Sequence, residues 1–318
     1  MATTKITSPD LFDLGSLNTA LKLPSGTTAE RPTSPSTGEW RYNTTTNLIE
    51  FYDGAAWRDL QSEAIPPIPD ENFSIVNWTG NGSSQSITGV GFQPDLVWVK
   101  ERTATSGNEL YDSTRGATKY IQTDSSGAES TSAQGLQSID SDGFSVGNDG
   151  AVNESDNMFI AWCWKANGGT TVSNGEGSIT STVQANSAAG FSIVQYGGTG
   201  AAATIGHGLS SAPELIFTKQ TTGSTDWVAG FQDWTKYLEP NGTPGFRTAS
   251  SVWNDTAPTN TVFSVAASGG SNTNGGTNIA YCFHSVTGYQ KFGEYTGNGS
   301  FQGPSVNTGF EPAYIMIK

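Results

Sequence analysis

The chain has 318 residues, a formal charge of −14, 14% charged residues and 39 glycines. So acidic a chain, poor in Lys and Arg, lacks the electrostatic footprint of a nucleic-acid binder, and its 11% aromatic content is not that of a disordered polymer. No stretch approaches the ~18 apolar residues of a membrane-spanning helix, the first residues hold no signal-peptide h-region, and Cys163 and Cys282 are too few for a disulfide framework.

Residues 1–22 carry Leu11, Phe12, Leu14, Leu17 and Leu21, mostly separated by polar residues or Gly. A short amphipathic helix from Ser16 to Lys22 and an extended arm both fit. Pro24 and the "PSGTT" cluster end any helix. Residues 23–60 then read as a small β-meander. "GEWRYN" puts Trp40 and Tyr42 on one face, "TTTN" turns, "LIEFYDG" puts Ile49 and Phe51 on one face, Asp53-Gly54 is a hairpin signal, and "AAWRDL" with Trp57 is a third strand. A meander of this size is marginal in water alone. Its aromatic face needs a cover, either a later domain or further copies of itself about a threefold axis. The second is favoured because residues 61–72, with Pro66, Pro67 and Pro69, form a stiff linker that separates the meander from the downstream chain.

The remainder is a repeat. "FSIVNWTGNGSSQSITGVGFQPDLVWVK" from Phe73 matches "FSIVQYGGTGAAATIGHGLSSAPELIFTK" from Phe191, and "FGEYTGNGSFQGPSVNTGFEPAYIMIK" from Phe292 is a third start. Each has an aromatic residue (Trp78, Tyr196, Tyr295), a Gly-rich turn, a proline (Pro94, Pro213, Pro312) and an apolar strand ending at Lys100, Lys219 or Lys318. Phe144 and Phe263 both lie 44 residues beyond their Lys, and Cys163 and Cys282 both lie 63 beyond. The expected fold is all-β: an N-terminal arm and small meander, then tandem jelly-roll-like β-sandwich repeats over 73–166 and 191–286. A polar linker or insert with room for a strand occupies 167–190, and 287–318 begins a third repeat. The strands of that third repeat belong either to a neighbouring sheet or to a longer chain.

Residues that could carry chemistry give weak signals. Cys163 and Cys282, at equivalent repeat positions, read as buried free thiols. His207 and His284 lack partners at ligand spacing, so no metal is expected. Asp140, Asp142 and Asp149 resemble a calcium loop only faintly and read as turn residues. Glu109, Asp112, Glu154 and Asp156 leave paired-carboxylate glycoside cleavage conceivable, but no nucleophile motif is present, and neither enzyme activity nor a cofactor is expected. Trp98, Trp162, Trp164, Trp227, Trp234 and Trp253 read mainly as core, with a weak lead toward sugar stacking.

Leu23 to Thr27, Arg31-Pro32 with Pro35, Arg41 to Thr44, and Tyr52 to Trp57 together closely resemble a module near the N-terminus of bacteriophage tail-fibre and other virion proteins. "GFQPDLVWVK", "LYDSTRG" and "FIAWCWKA" downstream resemble a repeated domain of phage tail proteins. The resemblance implies a trimeric fibre in the virion and carries no assigned catalytic residues. It implies that Trp40, Tyr42, Ile49, Phe51 and Trp57 form a trimer core. Leu11, Phe12, Leu14, Leu17 and Leu21 would dock on the phage tail, and the repeats would project toward the host surface, with a surface glycan as a candidate partner. A capsid-attached fibre and a carbohydrate-cleaving tailspike are the alternatives.

Overall fold

A computed structural model describes residues 23–59 and 71–318. The expected docking residues Leu11, Phe12, Leu14, Leu17 and Leu21, and residues 60–70 of the linker region, lie outside the described residues. The chain divides into two compact units, Met1–Ile65 and Pro66–Lys318.

The first unit is one four-stranded sheet. β1 (Ser25–Gly26) pairs in parallel with β2 (Trp40–Asn43), and β2, β3 (Leu48–Tyr52) and β4 (Trp57–Asp59) form an antiparallel meander. Asn47 at φ 58° and Gly54 at φ 99° take the left-handed conformation that the two hairpin turns require.

The second unit is all-β and sandwich-like, built twice on one plan. Its strands begin with β5 (Phe73–Thr79), β6 (Gln85–Thr88), β7 (Leu96–Glu101), β8 (Glu109–Asp112), β9 (Lys119–Gln122), β10 (Ser130–Thr131), β11 (Leu136–Asp140), β12 (Gly143–Val146) and β13 (Met158–Trp164). A short helix, α1 (Gly150–Asn153), precedes β13. A six-stranded sheet, ordered β10-β9-β8-β7-β13-β5, faces a three-stranded sheet, β11-β12-β6. Between them lie Val76, Val97, Val99, Tyr111, Phe159, Ala161 and Cys163 from the large sheet and Ile87, Leu136, Phe144 and Val146 from the small one.

The second copy contains β14 (Val172–Asn174), β15 (Ser181–Asn186), β16 (Phe191–Gly197), β17 (Ala203–Gly206), β18 (Leu215–Gln220), β19 (Val228–Phe231), β20 (Lys236–Tyr237), β21 (Arg247–Thr248), α2 (Ser250–Trp253), β22 (Val262–Val265) and β23 (Thr277–Phe283). Its large sheet runs β14-β15-β16-β23-β18-β19 and its small one β17-β22. The registers repeat. Cys163 opposes Val97, as Cys282 opposes Ile216. Phe144 opposes Ile87, as Phe263 opposes Ile205. The insert is more than a linker: β14 and β15 extend the second sheet beyond β16, whereas β5, the counterpart of β16, is an edge strand.

The two large sheets pack on each other. Alternate residues of their central strands leave the sandwich interiors and meet in a third core. Leu96, Leu110, Ile121 and Trp164 come from the first sheet; Phe191, Ile193, Ile279, Tyr281 and Phe283 come from the second. Strand β23 is therefore buried on both faces, and β13 is buried on its inner face and covered in part on its outer one, where Trp164 is buried and Ile160 and Trp162 are half-buried, which is why "FIAWCW" and "IAYCF" are continuously apolar. Polar links cross the same boundary. The Tyr281 hydroxyl donates to Asp112 Oδ2 at 2.6 Å, Trp227 Nε1 to the Gln122 carbonyl at 2.9 Å, and Gln184 Nε2 to Thr114 Oγ1 at 2.7 Å.

A buried asparagine closes each copy. Asn153 Nδ2 donates to the Gly147 and Ser83 carbonyls, both at 2.6 Å, while its Oδ1 accepts from the Asn81 amide at 3.1 Å. Asn272, 119 residues on, donates to the Ala201 carbonyl at 2.6 Å and accepts from the Thr199 amide at 2.8 Å. The Gly-rich turns gripped this way leave no room for a side chain: a Cβ on Gly80 would lie 2.0 Å from the Glu154 carbonyl oxygen, and one on Gly198 2.1 Å from that of Thr273.

Residues 291–318 contain no strand. This corrects the expectation that the segment from Phe292 starts a third sandwich by forming its strands. The topology supplies the reason: β5 and β7 never pair with each other. Both pair with β13, which lies between them, and the third start has no β13 counterpart among the described residues. The segment instead lies as irregular chain, with Phe292 5.8 Å from Phe283 and Tyr314 5.6 Å from Trp162 between ring centroids.

Candidate functional site: the outward aromatic face of the N-terminal unit

Strand alternation divides the first unit's sheet into two unlike faces. Trp40 opposes Phe51 and Tyr42 opposes Ile49, so these four share one face. Arg41 opposes Glu50 on the other. Polar side chains occupy the covered face: Arg41, Asn43 and Glu50 are buried, at 5%, 0% and 0% exposure. The chain from Thr27 to Arg31 closes over them. Arg31 Nη2 donates to Glu50 Oε2 at 2.5 Å, Asn43 Nδ2 donates to the same oxygen at 2.9 Å, and Arg41 Nη2 donates to the Thr27 carbonyl at 3.0 Å. The hydrogen bond from Arg31 holds the Glu50 carboxyl below its ordinary pKa, against the opposing effect of burial.

The apolar face is the open one. Trp40 is 48% exposed and stacks on Phe51 at 5.5 Å between centroids. Tyr42, Ile49 and Phe51 are half-buried. Arg58, opposite Phe51, stands at the rim and pairs with Asp53 at 2.7 Å. A large-ring face turned to solvent over a buried ion cluster inverts the usual distribution of polar and apolar residues.

The structure brings together four of the five residues expected in a trimer core: Trp40, Tyr42, Ile49 and Phe51. Trp57 lies elsewhere. It opposes Tyr52 on the covered face, with the Arg41 guanidinium 5.9 Å from its ring centroid. Sequence reasoning missed Arg31, Arg41, Asn43 and Glu50 as the group that sets the face's direction. The signal was present in "WRYN", whose alternation puts Arg41 and Asn43 opposite Trp40 and Tyr42.

The other candidates have structural roles. Cys163 and Cys282 are free and fully buried, and burial pushes both thiols up in pKa. His207 Nδ1 accepts from the Leu209 amide at 3.1 Å, and burial lowers the pKa of its ring. Asp142 braces a loop by accepting from the Gly89 and Gly91 amides at 3.2 and 2.7 Å, and Asp149 caps α1. Glu109 and Asp112 point to opposite faces of β8, so they do not act as a pair across one substrate. Burial raises Glu109 to about 7, against the hydrogen bond it accepts from Tyr111. Trp164, Trp227, Trp234 and Trp253 are buried, and Trp98 and Trp162 pack edge to face at 5.6 Å. Among the described residues no three His, Cys, Asp or Glu side chains cluster to hold a metal ion, and no helix is long and apolar enough to cross a membrane.

The sandwich pair over residues 68–318 matches the family model described as a domain of unknown function, DUF7483, and the chain belongs to that family. Compared with curated proteins, the sequence has no match.

Proposed function

We propose that this protein is a structural and adhesive virion component: a homotrimeric fibre of a bacteriophage tail. The N-terminal arm anchors it to other tail proteins, and the double sandwich projects toward the host surface, where a glycan is the partner class. The observation that carries the reading is the inverted first unit. Trp40, Tyr42, Ile49 and Phe51 face solvent on a sheet whose opposite face is closed by Arg31, Arg41, Asn43 and Glu50. So small a sheet gains a core only when copies share that face, and three copies about an axis satisfy this with one surface. The tight, doubly buried packing of the sandwiches supports a spacer role rather than a catalytic one.

Two measurements test the reading. Light scattering of the full chain should give three times the 33.4 kDa of one chain; a monomer at micromolar concentration refutes the shared core. Gold-tagged antibody against residues 73–290 should label phage tails. Label spread over the head would make the protein a capsid fibre and remove most of the support for host attachment.

A further inference from the structure

Six Asn-Gly pairs occur in the chain, beginning at Asn81, Asn167, Asn174, Asn241, Asn274 and Asn298. In such a pair the backbone nitrogen of the glycine, unhindered by a side chain, can attack the side-chain carbonyl carbon of the asparagine and expel ammonia. Whether it does so depends on what holds the two groups.

Four of the six are blocked at the attacking nitrogen. The Gly82 amide donates to the Asn153 carbonyl at 3.0 Å, the Gly275 amide to the Gly198 carbonyl at 3.0 Å, the Gly242 amide to the Glu239 carbonyl at 2.9 Å, and the Gly168 amide to Asp95 Oδ2 at 2.9 Å. Asn174 is restrained by packing instead. It ends β14, and a Cβ on Gly206 would lie 2.0 Å from its Oδ1.

Asn298 has neither restraint. Among the described residues the Gly299 amide has no hydrogen-bond partner. Asn298 is exposed, and a Cβ on Gly297 or Gly299 would meet nothing within 4 Å. The Ser300 amide donates to Asn298 Oδ1 at 3.0 Å. That bond strengthens as the oxygen gains charge during attack, in the manner of an oxyanion hole. The departing nitrogen, Nδ2, donates to the Gln302 carbonyl at 3.0 Å, within the same exposed turn. Residues 296–300 repeat residues 79–83 exactly in sequence, Thr-Gly-Asn-Gly-Ser. The two sites therefore differ in their surroundings and not in their local chemistry. Around the first, a Cβ on Gly80 would lie 2.0 Å from the Glu154 carbonyl oxygen.

We propose that Asn298 is a site of spontaneous hydrolytic modification, converted to aspartate and isoaspartate, and that the fold protects Asn81 from the same change. The Gly299 nitrogen gives its proton to hydroxide and bonds to Asn298 Cγ. The Cγ–Nδ2 bond breaks, and Nδ2 takes a proton from water and leaves as ammonia. Water then opens the cyclic imide at either carbonyl. The net change consumes one water and releases one ammonia, with no oxidation or reduction. The product adds a carboxylate to a chain already at −14, and its isoaspartyl form lengthens the backbone by a methylene group. This chemistry stands whether or not the chain is a phage fibre.

The test incubates the full chain in mildly alkaline buffer made with heavy-oxygen water and follows both sites by peptide mass spectrometry. The peptide holding Asn298 should take up heavy oxygen at least about tenfold faster than the one holding Asn81, whose reaction requires local opening of the fold. In the urea-unfolded chain the two rates should converge, because the five residues are the same. Three outcomes overturn the proposal: no heavy oxygen at Asn298, equal rates at the two sites in the folded chain, or a difference that persists unchanged after unfolding.

Discussion

Trp40→Ala separates a surface aromatic from an interface aromatic. Trp40 keeps 48% of its surface exposed in a single chain. Of the ~250 Å² a tryptophan can bury, about 120 Å² is therefore still available to a partner. At ~25 cal/mol per Å², that is about 3 kcal/mol per chain and about 9 kcal/mol for three. The association constant of the trimer should fall by ~10⁶, since each 1.4 kcal/mol is a factor of ten. Sedimentation velocity over a concentration series reads this directly, with far-UV circular dichroism reporting that the strands remain. Trp57→Ala is the internal contrast, because Trp57 lies on the covered face against Arg41. It should destabilise the unit's fold without a matching loss of association at concentrations where the unit is folded. A Trp40→Ala protein that sediments as a trimer with wild-type concentration dependence would refute the shared aromatic core.

Three further expectations concern the double sandwich. Asn153→Ala and Asn272→Ala should each cost about 2–4 kcal/mol in denaturant unfolding, because each strands several buried backbone groups; similar losses at the two sites would confirm that both copies use the same latch. Glu109, raised to about 7 from 4.5, contributes stability that is full below about pH 4.5 and is lost as pH rises through about 7. Glu109→Gln should flatten that decline, worth about 3 kcal/mol between the two limits, as read by melting curves across the pH range. Asp112→Ala leaves the fully buried Arg115 without its 2.5 Å partner and removes the acceptor of Tyr281, which should cost about 3–5 kcal/mol. Tyr281→Phe, which keeps the ion pair, should cost about 1–2 kcal/mol, and a double-mutant cycle should show the two changes to be coupled.

The all-β fold and the pairing of the two copies were legible because strand alternation and fixed spacing are local and cumulative. Phe144 and Phe263, and Cys163 and Cys282, fall at matching positions in the sandwich cores. The 20-residue insert reads as a polar linker with room for one strand; that it supplies two was not legible, because β14 and β15 lie at the sheet's edge with few apolar residues and owe their pairing to the open side of β16. The candidate site was half legible. Large rings in "GEWRYN" and "LIEFYDG" marked a face, but which face closes depended on Arg31 reaching Glu50 from outside the strands, and such a contact has no periodicity.

The stacking of the two sandwiches left a trace in the sequence that single-strand reasoning passes over. A strand on the outer wall of a sandwich alternates apolar and polar, because one side meets water. "FIAWCW" does not alternate, nor does "IAYCF". Their failure to alternate requires a second buried face, and the third core around Trp164, Phe191, Tyr281 and Phe283 supplies it. "AYIMIK" at Ala313–Lys318 does not alternate either. It has the composition of a strand covered on both sides, while Ile315, Met316 and Ile317 remain exposed. The counterparts of Ile315 and Ile317 are buried in both finished copies, Val97 and Val99 in the first and Ile216 and Thr218 in the second, because a paired central strand lies beside each; among the described residues no strand pairs with Ala313–Lys318, so composition alone does not bury it.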